Sequence, residues 1–273
     1  MGKSLHSFKI NKVDLVVSDI EQSVIFYTKT LGFHLIDSSE GEADLGTEDG
    51  SCLVHLLENK QAVRPGRNVT GLYHFAILVP ERKHLAAFLK HILETNYPLV
   101  GASDHLFSEA IYLQDPDDIG IEIYVDRPKE EWRYRDGQIQ AATLPLDTNS
   151  LMQAYTEDWI SFPNGTVIGH LHFHVSTIEK AREFYVGKFG LDPMIEMGDQ
   201  VLFVSGEGYH HHIGLNIWNG QHAKVPTQSV LGMNRTHVEA SKADRPFLLA
   251  NGLNESDHTI IDPFGIEYII SFR

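Results

Sequence analysis

Sixteen histidines in a chain of 273 residues are the first sign of chemistry, because imidazole is the commonest metal ligand and the usual acid–base group near neutral pH. Two of them open short apolar runs, His74 in LYHFAILV and His170 in HLHFHV. On a strand, residues i and i+2 share a face, so His74 groups with Ala76 and Leu78, and His170 with His172 and His174. Three histidines on one face argue for a polar, enclosed lining. His74 and His170 hold the same opening position of their runs, which favours His170 over its two neighbours as a ligand. Glu122 lies between Ile121 and Ile123, and a buried carboxylate costs several kcal/mol unless it is paired or metal-bound. Each residue has a plainer reading: a lone strand histidine is more often a hydrogen-bonded core residue, and parity alone leaves Glu122 free to face solvent. If the three converge, they form a two-histidine, one-carboxylate face, which holds iron(II) and leaves adjacent coordination positions open.

An internal repeat supplies the elements that position these side chains. Residues 12–33 and 170–191 share F-Y-x-x-x-[LF]-G-[FL] at a constant offset of 158, and self-similarity at that scale signals repeated modules. In the first copy Ile20, Val24, Tyr27 and Leu31 form one apolar stripe at helical period. Asp19 is its N-cap, and Gly32 and Gly190 are the C-terminal stops. Three alternating runs follow each helix, at 33–37, 43–46 and 51–57 and again at 191–197, 200–205 and 210–218. The pattern is βαβββ, twice. Weaker copies begin at Leu72–Val79, with a helix at about 81–95 and two strands around an Asp-Pro turn, and at Met233–Ala240, with a helix near 242–251 and the run TIIDPFGIEYIISF. Residues 126–168, with their prolines and one expected helix around 148–158, read as a linker. The expected division is a half of modules one and two (1–125), the linker (126–168), and a half of modules three and four (169–273).

Composition narrows the function classes. Lys+Arg 22 against Asp+Glu 37 gives a net charge of −15, a field that repels phosphate backbones and anionic lipid surfaces. Neither nucleic acid nor a membrane is an expected partner. The single cysteine, Cys52, excludes an internal disulfide, and the absence of a signal pattern or long apolar run points to the cytoplasm. Phosphate-loop and nucleophile-elbow motifs are missing.

Four such modules, with the F-Y-x-x-x-L-G-F and D-P-x-x-x-G-x-E signatures, resemble the vicinal oxygen chelate superfamily of glyoxalases, extradiol ring-cleaving dioxygenases and bleomycin-resistance-type binding proteins. The segments GLYHFAILVP and GYHHHIGLNIW are similar to those of bacterial catechol 2,3-dioxygenase-type proteins. The resemblance implies an α+β fold whose four βαβββ modules pair into two open barrel-like cups. It places Glu122 at the family's carboxylate ligand position after the Asp-Pro turn, beside His74 and His170 as the other metal ligands. The cofactor implied is Fe(II), with Mn(II) an alternative, and the partners are a catechol-type diol and dioxygen, as in aromatic catabolism. Alternation puts His210 and His212 on one face, and the run HHIGLN is similar to the family's paired-histidine strand, whose second histidine lies beside the metal; that resemblance maps the place onto His212. Tyr112 takes the place of a tyrosine on the substrate hydroxyl, and His105 that of a group on a catecholate oxygen.

The chain departs from the family pattern in one respect. Two-domain ring-cleaving enzymes carry their ligands in modules three and four, whereas here Arg235 stands at the fourth module's histidine position and DPFGIEY is two residues shorter than DPDDIGIE before its glutamate, Glu267. The active cup is therefore expected to combine modules two and three, with one and four forming a structural cup. Two rivals remain at this level. One is a glyoxalase-type isomerase or lyase in which His212 closes the metal cage as a fourth ligand. The other is a non-enzymatic module that binds a small aromatic. A homo-oligomer is compatible with all three readings.

Overall fold

The computed structural model describes residues 4–135 and 137–273. The first module runs β1 (Phe8–Val17), α1 (Ile20–Ile25), β2 (His34–Ser39), β3 (Glu42–Gly46) and β4 (Cys52–Glu58). Asp19 caps α1 by accepting from the Gln22 amide. The helix widens into a π-type turn over Phe26–Leu31 and stops at Gly32, whose φ of +96° is the left-handed conformation glycine adopts without steric cost. A Cβ there would also meet the Trp159 indole at 2.7 Å.

The second module runs β5 (Gly71–Leu78), α2 (Arg82–Glu94), β6 (Leu99–Asp104), β7 (Ser108–Gln114) and β8 (Gly120–Asp126). Short pieces β9 (Tyr134–Arg135), β10 (Gln138–Ile139), β11 (Leu144–Pro145) and α3 (Thr148–Met152) occupy the connection. The third module contains β12 (Val167–His174), α4 (Ile178–Arg182), β13 (Asp192–Met197), β14 (Val201–Ser205) and β15 (Ile213–Asn216). In the fourth, β16 (Gly232–Ala240) and α5 (Arg245–Ala250) are followed by two strands, β17 (Thr259–Ile261) and β18 (Glu267–Phe272), where the other modules have three.

Two curled sheets result, in a mixed α+β architecture. One has the order β17-β18-β16-β1-β4-β3-β2 and joins modules one and four; the other, β11-β6-β7-β8-β5-β12-β15-β14-β13, joins modules two and three. In each sheet the opening strands of the two modules are antiparallel neighbours: β1 pairs with β16 and β5 with β12. Each half of the sequence thus contributes one module to each sheet.

The two signature motifs of the repeat meet across this exchange. The Tyr27 hydroxyl, on the helix of module one, donates to Asp115 in the Asp-Pro turn of module two at 3.2 Å. The Tyr185 hydroxyl, on the helix of module three, donates to Asp262 in the corresponding turn of module four at 2.6 Å. Each aspartate also accepts backbone amides of its own turn, Asp117 and Ile119 on Asp115, Phe264 and Ile266 on Asp262. Burial pushes the Asp115 carboxyl up to about 7 and that of Asp262 up to about 6. The connection reaches both assemblies: Trp159 Nε1 donates to the Leu31 carbonyl and the Phe162 amide to that of Gly32, at the end of the first module's helix, and β11 extends the nine-stranded sheet beside β6. Among the described residues no helix is long and apolar enough to cross a membrane.

Candidate metal centre

His74 on β5, Glu122 on β8 and His170 on β12 meet near the middle of the nine-stranded sheet. One ligand atom from each lies within 4.8 Å of the others, and all three residues are buried. Parallel pairing of β5 with β8 sets Ala76 opposite Glu122, and antiparallel pairing of β5 with β12 sets Ala76 opposite His170. Glu122 and His170 thus flank Ala76, and His74, two residues before it on the same face of β5, completes the group. Gly120 makes the approach of β8 to β5 feasible, because a Cβ there would stand 2.2 Å from the Tyr73 carbonyl oxygen; this is the glycine of the D-P-x-x-x-G-x-E signature.

Glu122 Oε2 lies 3.0 Å from His74 Nε2 and 3.2 Å from His170 Nε2. The contact with His74 is close, but it lacks the alignment of a hydrogen bond, and that Nε2 has no other partner; nor does His170 Nδ1. Burial opposes ionisation of Glu122, yet the facing imidazoles of His170 and His74 outweigh it and hold the carboxyl well below the usual range. Burial lowers His170 to about 4. A carboxylate and a neutral imidazole are the protonation states a metal ligand needs. A buried nitrogen without a hydrogen-bond partner, aimed at a carboxylate between two histidines, fits a divalent cation that all three would share. Among the described residues this is the one group of three or more such donors that converges, and no fourth joins it.

Two further predicted residues stand at the same cavity. His105 Nδ1 donates to the Ala142 carbonyl at 2.7 Å, which leaves Nε2 to accept the Tyr112 hydroxyl proton at 2.6 Å. Tyr112 pairs with Glu122 across β7 and β8, and its ring is 5.7 Å from that of His74. Burial, reinforced by the Glu122 charge, pushes its phenol well above the usual tyrosine value.

His212 departs from expectation. Its Nδ1 lies 2.8 Å from Ser205 Oγ and its ring packs on Phe8 and Tyr209, and it is absent from the cavity lining. Strand alternation does not apply to the histidine run, because β15 begins only at Ile213 and the preceding residues turn. His211 takes the cavity position instead. Its ring stacks on Phe203 at 4.3 Å and lies 4.2 Å from that of His170. Behind it runs a chain that is buried at its histidines and half-buried at its far end: His211 Nδ1 is 2.7 Å from His210 Nδ1, His210 Nε2 is 2.9 Å from Asp126 Oδ1, and the Tyr209 hydroxyl donates to Asp126 Oδ2 at 2.8 Å. With Asp126 accepting the His210 Nε2 proton and His210 Nδ1 accepting from His211 Nδ1–H, the lone pair of His211 is at Nε2. Burial holds His211 well below the usual histidine pKa.

The remaining histidines of β12 also face the cavity. The Asn216 amide donates to His172 Nε2 at 2.9 Å and its oxygen accepts from His174 Nδ1 at 2.7 Å. The role of Asn216 was not legible in the sequence, where it is one polar residue among several after the histidine run. The cavity as a whole has a volume of about 760 Å³, and the connection supplies part of its wall through Ala141, Ala142 and Thr143.

Comparison with known proteins gives a consistent picture. Residues 9–123 match the family model of the Glyoxalase/Bleomycin resistance protein/Dioxygenase superfamily. The chain is 40% identical over 255 residues to a protein of Bacillus subtilis (strain 168) named catechol-2,3-dioxygenase, with 92% of this chain and 89% of that one covered. Among solved structures it is similar to a putative dioxygenase from Bacillus subtilis subsp. subtilis str. 168 (TM-score 0.63, 14% identity, 99% of this chain and 86% of that one). It is also similar to glyoxalase I from Zea mays (TM-score 0.55, 14% identity, 97% and 92% covered). At that level of identity the two structures speak to the fold alone.

Proposed function

Because this chain belongs to the glyoxalase/bleomycin resistance protein/dioxygenase superfamily, we propose that His74, Glu122 and His170 are the metal ligands of an extradiol ring-cleaving dioxygenase. The metal is Fe(II), and the substrates are a catechol-type diol and dioxygen. The observation that carries the reading is the convergence of three buried donors, with no fourth among the described residues, on one face of the sheet joining modules two and three. A site of three protein donors would leave a bound metal open to both diol and dioxygen, whereas a glyoxalase-type cage closed by His212 has that histidine turned away.

The chemistry a bound iron(II) supplies is a common template on which diol and dioxygen exchange electrons, which no side chain can provide. The protein's own groups manage protons and orientation. His211 accepts the first diol proton at Nε2, the nitrogen left free by the Asp126–His210 chain, and later returns it to an oxygen of the opened ring. Tyr112 holds the second diol oxygen through its hydroxyl. His105 fixes the direction of that hydroxyl by accepting its proton at Nε2. Glu122 stays ionised because two imidazoles face it.

Anaerobic loading with Fe(II), followed by catechol and air, tests the reading. A yellow ring-fission product is expected from the wild type and none from His74→Ala, whose iron content after gel filtration should fall as well. Equal product from both would remove His74 from the site.

A further inference from the structure

The cavity above the three donors changes character with depth. At its floor stand His74, Glu122, His170 and Tyr112; at its mouth the lining includes Val100, Trp218, Met197 and Tyr73, which remain 66%, 56%, 46% and 41% exposed. Single exposed apolar side chains are ordinary on a protein surface. Four large ones around one opening are a surface waiting for a partner, and Tyr73 and Trp218 already meet edge to face at 5.6 Å. At about 760 Å³ the cavity lies in the range of roughly 300–1,000 Å³ typical of sites for drug-sized ligands, so a bare catechol ring occupies only its floor. The lining contains no Lys or Arg among the described residues; its carboxylates are Glu122 and Asp118. Two arginines flank the lining residues Pro65 and Gly66. Arg64 is tied to the Asp118 carboxylate at 2.6 Å and to the Pro116 carbonyl, and Arg67 is exposed and outside the lining.

We infer that the site selects uncharged diols carrying a bulky apolar substituent, which Tyr73, Val100, Met197 and Trp218 cover at the mouth, and discriminates against diols carrying a carboxylate. The inference rests on the ring-cleaving reading and adds its substrate class. A carboxylate placed at this mouth would lose its hydration without gaining a cationic partner, whereas an alkyl or aryl group would bury apolar surface on itself and on four side chains.

The test compares catechol, 3- and 4-butylcatechol and 3,4-dihydroxybenzoate on the Fe(II)-loaded protein. Dissociation constants come from tryptophan fluorescence without oxygen, and kcat/KM from product formation in air. The better butylcatechol is expected to exceed catechol by about 10-fold or more in both measures, in line with the discrimination an apolar pocket achieves; 3,4-dihydroxybenzoate should fall below catechol. Trp218→Ala should collapse the butylcatechol-to-catechol ratio towards one, and Trp218→Phe should retain most of it. Val100→Arg should raise 3,4-dihydroxybenzoate relative to the other diols. A carboxylated diol preferred by the wild type, or a flat series, overturns the inference and leaves the reaction class standing. Absence of cleavage with every diol overturns the reaction class, while the order of dissociation constants still decides the inference.

Discussion

The two sheets share one plan and differ in what stands at its centre. Between β5 and β12 a carboxylate faces two imidazoles with unpartnered nitrogens. Between β1 and β16 the register sets Asp14 opposite Arg235 and Lys12 opposite His237. There the Asp14 carboxylate lies 3.0 Å from His237 Nε2, 3.6 Å from Lys12 Nζ and 3.7 Å from Arg235 Nε, and Glu267 lies 3.7 Å from the same guanidinium. Both centres bury a negative charge and compensate it. The second does so with the Lys12 and Arg235 cations built into the chain, and among the described residues no three metal donors converge there. The lesson is that the fold tolerates either solution, and the proposed division of labour between the sheets rests on the identity of three side chains.

Substitutions at the two centres should separate them. Glu122→Gln is expected to lower iron content and to reduce ring cleavage by about three orders of magnitude, because a metal that templates the reaction is worth several kcal/mol. Asp14→Asn should leave iron content and rate unchanged while lowering Tm. Losing a charge-assisted contact worth about 2 kcal/mol corresponds to roughly 4–8 °C in a chain of this size. Loss of activity in Asp14→Asn without unfolding would contradict the division of labour.

A second comparison isolates the chain behind His211. Asp126→Asn removes the acceptor that orients His210, and kcat should fall about 10- to 100-fold with iron content and KM nearly unchanged. If KM and iron content change as much as kcat, Asp126 acts through the fold.

The smallest effect sharpens the comparison between the two Asp-Pro turns. Asp115 has a folded pKa of about 7, against roughly 3.9 in an unfolded chain. A group raised in the folded state contributes stability that is complete below about pH 4 and is lost as pH rises through about 7. The Tm difference, Asp115→Asn minus wild type, should therefore become more positive from pH 4 to 7.5. For Asp262→Asn the same trend should level off near pH 6, where Asp262 itself titrates. A pH-independent difference at both positions would show that neither carboxyl is raised.

Much of this was legible in the sequence because it was written in repeats. The shared F-Y motif gave the modules and helix α1 with its Asp19 cap, and the register of His74 against His170, with Arg235 out of pattern, pointed to the pairing of modules two and three. Strand β6 was missed in the weak second copy, since Leu99–Asp104 carries too little alternation to stand out. The resemblance of HHIGLN to a paired-histidine strand points to His212 rather than His211, but the run lies in a turn before β15. Which face a side chain presents there depends on local backbone geometry that no spacing rule encodes. The packing of the connection against the end of the first module's helix, through Trp159 and Phe162, and against β6, through β11, was also hidden, because a proline-bearing connection reads the same whether it floats or forms a wall.

The exchange of modules between sheets has a kinetic consequence. His74 and Glu122 leave the ribosome with module two, but their third partner lies at position 170 and β5 has no neighbour on its β12 side until then. Closing so long a loop carries an entropic penalty, and non-local pairings of this kind fold slowly. On the proposed reading, ion capture would therefore come late in biogenesis, and a nascent chain halted before its third module would lack the third donor, His170.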